Sequence, residues 1–95
     1  MNSYEALYII NPKLEGEALK AVIDKFSQLV AANGGTVDGV EEQGMKKLAY
    51  EINYLSEGFY VLMNFTSDPA FPAELERNFK ISEDIIRFIV IKKNA

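Results

Sequence analysis

The segment Tyr4–Ile10 alternates with period two and is apolar on much of both faces. Tyr4, Ala6, Tyr8 and Ile10 share one side, and Glu5, Leu7 and Ile9 share the other. A strand that hides both faces needs neighbours on both edges, so it belongs in the middle of a sheet. Asn11-Pro12 ends it, because proline has no backbone N–H for the ladder.

The period then changes. Leu19, Val22, Phe26, Leu29 and Val30 fall at three- and four-residue steps between Glu15 and Asn33, which predicts an amphipathic helix. Asn33-Gly34-Gly35 stops it, since glycine just past a helix end takes the left-handed conformation at little cost. Thr36–Ile52 reads as a long edge strand bent at Gly39 and Gly44, its charges at Asp38, Glu41, Glu42, Lys46, Lys47 and Glu51 discouraging pairing with another chain.

Asn53–Gly58 reads as a polar loop, and Phe59, Val61, Met63 and Phe65 alternate along a buried strand. Ser67-Asp68-Pro69 is the expected cap and first turn of a second helix, carrying Phe71, Leu75 and Phe79 on one stripe. Ile81–Asp84 is then a turn, and Ile85–Lys92 a last strand on which Arg87 shares a face with Ile85, Ile89 and Ile91.

The order β-α-β-β-α-β predicts an α+β, ferredoxin-like domain spanning residues 1–95. Two right-handed crossovers give a four-stranded antiparallel sheet with two helices on one face. Ninety-five residues leave no room for a second core. The opposite sheet face is left open, with Leu7, Ile9, Tyr60 and Leu62 on it, and exposed apolar area of that kind calls for a partner.

The residue inventory removes most chemistry. With no histidine and no cysteine, imidazole bases, catalytic triads, thiol nucleophiles and the usual zinc sites are excluded. Gly34-Gly35 leaves a helix instead of opening one, so it is no phosphate cradle. Glu41-Glu42 and Glu83-Asp84 read as a solvated edge and a turn, without the oxygen cluster a hard cation needs. No enzyme, cofactor or small-molecule substrate is expected. The N-terminus has no basic region ahead of its apolar run, and no stretch reaches the roughly 20 apolar residues of a membrane span, so a cytoplasmic protein is expected.

Charge is unevenly placed. The net charge is −4, yet the clustered cations Lys46-Lys47 and Lys92-Lys93 all lie in the balanced second half. Fields act within a Debye length of about 8–10 Å, so a local cationic patch can work on an acidic chain. Lys46 and Tyr50 share a face about 13 Å apart and could meet nucleic acid; the plainer reading is that the two lysines guard the edge and Tyr50 packs. Arg87 sits among isoleucines, snorkelling or contacting a partner. An RNA-recognition platform shares this topology, but Gly58-Phe59-Tyr60-Val61-Leu62 is only a fragment of its aromatic motif, and that reading is rejected.

Tyr4-Glu5, Asn11-Pro12, Gly44-x-Lys46-Lys47-Leu48-Ala49-Tyr50-x-Ile52, Gly58-Phe59-Tyr60 and Ile81–Phe88 occur in that order. Together they resemble the family of the sixth protein of the bacterial small ribosomal subunit, over essentially the whole chain. The resemblance implies a ferredoxin-like, non-enzymatic ribosome component. It implies as partners the central domain of small-subunit ribosomal RNA and the eighteenth small-subunit protein. It makes Lys46, Lys47, Tyr50 and Arg87 candidate RNA-side residues, and Leu7, Ile9, Leu48, Tyr60 and Leu62 candidate partner-side residues. The chain departs from the family pattern at Asn2-Ser3, where basic residues are common, at Lys46 and Lys47, where arginines are frequent, and at Glu51, where proline is common. It also stops at Ala95, without the extension many members carry. The competing expectation is a regulatory or small-molecule-sensing domain that dimerises through its sheet.

Overall fold

The strand with two apolar faces is indeed central. In the computed structural model, which describes residues 1–52 and 54–93, the elements are β1 (Asn2–Ile10), α1 (Gly16–Ala32), β2 (Thr36–Ile52), β3 (Leu55–Ser67), α2 (Phe71–Ile81) and β4 (Ile85–Lys92). The strands lie in the order β2-β3-β1-β4, every neighbouring pair antiparallel. This is the expected ferredoxin-like sheet, with β2 and β4 at the edges.

The core lies between one face of the sheet and the two helices. Tyr4, Ala6, Tyr8 and Ile10 from β1 and Val61, Met63 and Phe65 from β3 meet Val22, Phe26 and Val30 of α1 and Phe71, Leu75 and Phe79 of α2. Aromatic rings form its centre: Phe79 lies 4.6 Å from Phe26, 5.0 Å from Tyr8 and 5.2 Å from Phe88, centroid to centroid. Each such buried side chain contributes about 1.5–3 kcal/mol of burial free energy. The helical stripe of α1 is rotated slightly from expectation. Ile23 is buried, while Leu19 and Leu29 only flank the core.

The C-terminal end of α1 follows from its sequence. The Asn33 side-chain amide donates to the Leu29 carbonyl at 2.8 Å, and Gly34 takes φ +82°. Gly35 has a different reason: a Cβ there would stand 2.8 Å from the Thr66 carbonyl oxygen and 2.9 Å from Val30 Cγ1. The loop meets the sheet too closely for any side chain.

Three local expectations are corrected. The second helix is capped at Ala70 with no side-chain cap, and Pro72 rather than Pro69 occupies its first turn. Ser67 is buried, and its hydroxyl donates to the Asp68 carbonyl instead. The expected 53–58 loop is mostly strand, because β3 begins at Leu55; Asn53, like the Ala95 terminus, lies outside the described residues. Finally, Ile85 does not share a face with Arg87. Ile9 pairs with Arg87 but Ile10 with Ile85, so Ile86 is an extra residue and Ile85 turns onto the core.

Candidate partner and nucleic-acid interface

The face away from the helices is built from alternate residues of every strand. Leu7 and Ile9 of β1 stand beside Leu62 and Tyr60 of β3, and Ile89 and Arg87 of β4 stand on their other side. Strand alternation dictates this once Tyr8 and Val61 are buried.

β2 breaks that simple geometry. Its pairing with β3 shifts between Glu42 and Gly44, where Gly44 has φ +90°, as the glycine suggested. A larger shift follows: Lys47 pairs with Glu57, and Ile52 with Leu55, so residues 48–51 stand against Ser56 alone. The surplus backbone carries Tyr50 across the open face to the opposite edge of the sheet. There Arg87 Nη1 donates to the Tyr50 hydroxyl, and the guanidinium carbon lies 5.5 Å from the Tyr50 ring centroid. A guanidinium over an aromatic face is an attractive geometry.

Between this strap and the sheet lies a groove of about 310 Å³. Leu7, Ile9, Leu48, Tyr60, Tyr50 and Arg87 line it, with Ala49, Ile52, Phe88 and Ile89. Four of the five residues expected on the partner side are therefore gathered in one place, and Leu62 lies on the same face beyond the groove. Tyr50 and Arg87, expected on the RNA side, belong to this groove as well.

The lysines are divided. Lys46 Nζ sits 5.5 Å from the Tyr60 ring centroid and 3.2 Å from the Gln43 side-chain oxygen, at the rim of the open face. Lys47 is exposed and, by alternation, points to the other side. The sequence alone missed Ala49 in the groove, because alternation predicts it away from Leu48 and Tyr50; only the register shift admits it. Ile89 was legible from its spacing to Arg87, and it is 56% exposed.

Chemically the groove offers apolar walls, one guanidinium and one phenol. It has no acid–base pair, and among the described residues no cluster of histidine, cysteine or carboxylates could hold a metal ion. Its walls suit apolar side chains better than a reaction. No helix among the described residues is long and apolar enough to cross a membrane.

The family profile described as Ribosomal protein S6 matches residues 3–92. The chain belongs to the ribosomal protein S6 family. It is 50% identical over 94 residues to the small ribosomal subunit protein bS6 of Heliobacterium modesticaldum, covering 99% of this chain and 98% of that one. Against the protein of the same name from Exiguobacterium sibiricum it is 49% identical over 92 residues, covering 97% of each. The crystal structure of 30S ribosomal protein S6 from Thermotoga maritima superposes with a TM-score of 0.91 at 30% identity, covering 97% of this chain and 87% of that chain. Membership of this family, a structural and non-enzymatic one, agrees with the inventory of side chains.

Proposed function

We propose that this chain is a structural component of the bacterial small ribosomal subunit, working in the cytoplasm. On this reading it binds the central domain of small-subunit ribosomal RNA together with the eighteenth small-subunit protein. The observation that carries the ribosomal role is the end-to-end similarity to relatives named as small-subunit proteins. The open face supports the division of labour. Leu7, Ile9, Leu48, Tyr60 and Leu62 supply apolar area to the partner protein, while Lys46 and Lys47 at the edge meet phosphates. Tyr50 and Arg87 close the far side of the apolar surface, at the β4 edge opposite the lysines.

Sedimentation tests the role. The protein should travel with small ribosomal subunits from a high-salt-washed lysate, and consistent absence from that fraction overturns it. Titration of ribosomal RNA with and without the partner protein then separates direct RNA binding from anchoring through the partner.

A further inference from the structure

The hairpin joining β2 and β3 holds two pairing schemes in one sequence. From Gly44 to Lys47 the partners run in strict step: Gly44 with Tyr60, Met45 with Phe59, Lys46 with Gly58 and Lys47 with Glu57. Carried on in that step, Leu48 would meet Ser56, Ala49 would meet Leu55 and Tyr50 would meet Tyr54. The observed partner of Leu55 is Ile52 instead, and residues 48–51 form the strap over the groove.

Each scheme holds something the other forfeits. The strap lays Leu48 and Tyr50 along the groove and brings the Tyr50 hydroxyl to Arg87. It gives up the pairing of Leu48, Ala49 and Tyr50 with β3. It also turns so tightly that Tyr54 takes φ +66°, the one positive φ of a non-glycine residue among the described residues. A bulky side chain is strained in that region. The straight scheme restores the rungs, frees Tyr54 and sets two tyrosines opposite each other on one face, a favourable cross-strand pair.

We propose that residues 48–51 are a two-register switch. The closed register is the strap; the open one is the straight hairpin, in which Tyr50 leaves Arg87 and the groove loses its roof. The Tyr50–Arg87 contact is the latch, and because both side chains are exposed it is weak enough to release. On the reading that this face meets the ribosomal partner protein, the strap stands where an incoming apolar surface would lie. The closed register therefore inhibits, and occupation of the groove selects the open one.

The chain has no cysteine, so an introduced pair reports a chosen register. The A49C/L55C pair stands opposed in the open register, and the I52C/L55C pair in the closed one; opposed strand positions lie within disulfide reach. Folded protein is incubated with oxidised glutathione in the wild-type, Tyr50→Phe and Arg87→Ala backgrounds, with thermal melts of the reduced proteins to confirm folding. Arg87→Ala should speed A49C/L55C trapping about three- to tenfold, and Tyr50→Phe, which keeps the ring, should speed it less. No trapping of A49C/L55C, or trapping indifferent to Arg87→Ala, overturns the switch. Where a cysteine pair unfolds the chain, relaxation dispersion on cysteine-free protein decides. Exchange at the Leu48, Tyr50 and Ser56 amides should be present and altered by Arg87→Ala, and its absence overturns the switch too.

The oxidised forms then test inhibition. The purified eighteenth small-subunit protein should associate at least about fivefold faster with the locked-open form than with the locked-closed one. Equal rates overturn the inhibitory role. A partner that binds neither form nor wild type removes the partner reading and the inhibitory role together, while trapping still decides the switch.

Discussion

Arg87 and Tyr50, from opposite edges of the sheet, close on each other over its open face: the guanidinium donates to the phenol hydroxyl and lies against the ring. The two residues are 37 positions apart in sequence, and two strands separate theirs in the sheet. The contact fastens the displaced stretch 48–51 to β4 and forms one wall of the groove.

Both partners are exposed, so the coupling should be modest. Tyr50→Phe keeps the ring and removes the hydroxyl, and Arg87→Ala removes both interactions. A double-mutant cycle followed by urea unfolding should give about 0.5–1 kcal/mol of coupling for the hydroxyl contact. Hydrogen exchange at residues 48–51 should quicken in both single variants. A coupling near zero with unaltered exchange would show that the strap is held by Leu48 and Ile52 alone.

Two glycines should behave oppositely. Gly35→Ala places a methyl group against the Thr66 carbonyl and the Val30 side chain, and the backbone oxygen cannot yield cheaply. It should destabilise by about 1–3 kcal/mol. At Gly39 a methyl group meets nothing within 4 Å, so Gly39→Ala should change stability by no more than about 0.5 kcal/mol. Equal effects in chemical denaturation would refute the close-approach account of Gly35.

Tyr8 links stability to alkaline pH. Its ring lies among the core rings, and its buried hydroxyl finds no hydrogen-bond partner among the described residues. Burial, aided by the charges of Glu42 and Asp24, pushes its pKa well above the ordinary tyrosine value. The folded state therefore keeps the proton that the unfolded state releases. The stabilising linkage is fully present below about pH 10 and is lost as pH rises beyond it toward the folded pKa, by up to about 1.4 kcal/mol per pH unit. Tyr8→Phe should remove that part of the alkaline slope in urea melts at pH 9 to 11. At pH 7 it should be neutral or slightly stabilising, because an unsatisfied buried hydroxyl is lost. An alkaline slope identical to wild type would mean that the hydroxyl reaches water.

The lysines carry the nucleic-acid prediction. If Lys46 and Lys47 each neutralise a phosphate, replacing both with alanine should lower the slope of log affinity against log salt by up to about 1.8. They point to opposite sides of the strand, so one lysine on RNA and one on the edge would give about half that value. An unchanged slope would leave both as guards of the β2 edge.

Much of this architecture is written in local periodicity. The inward faces of β1 and β3, the α1 stripe and the glycine exit at Gly34 follow from side-chain spacing, since a strand or helix face depends only on its own residues. The motif Gly44–Ile52 likewise identified the family through residues 3–92. The candidate site was half legible: Leu7, Ile9, Tyr60 and Leu62 were placed on the open face by alternation, while Arg87 was read only as sharing a face with isoleucines and the groove was not foreseen.

The tertiary structure decided the rest wherever one strand's surplus is defined by another strand's length. The extra Ile86 turned Ile85 into the core, and the mismatch of residues 48–51 against Ser56 swung Tyr50 over the sheet to Arg87. No local pattern encodes such a shift, because a bulge is a relation between two backbones and is settled only when they pair. Sequence determined the fold and which residues face outward; pairing register decided which of those meet.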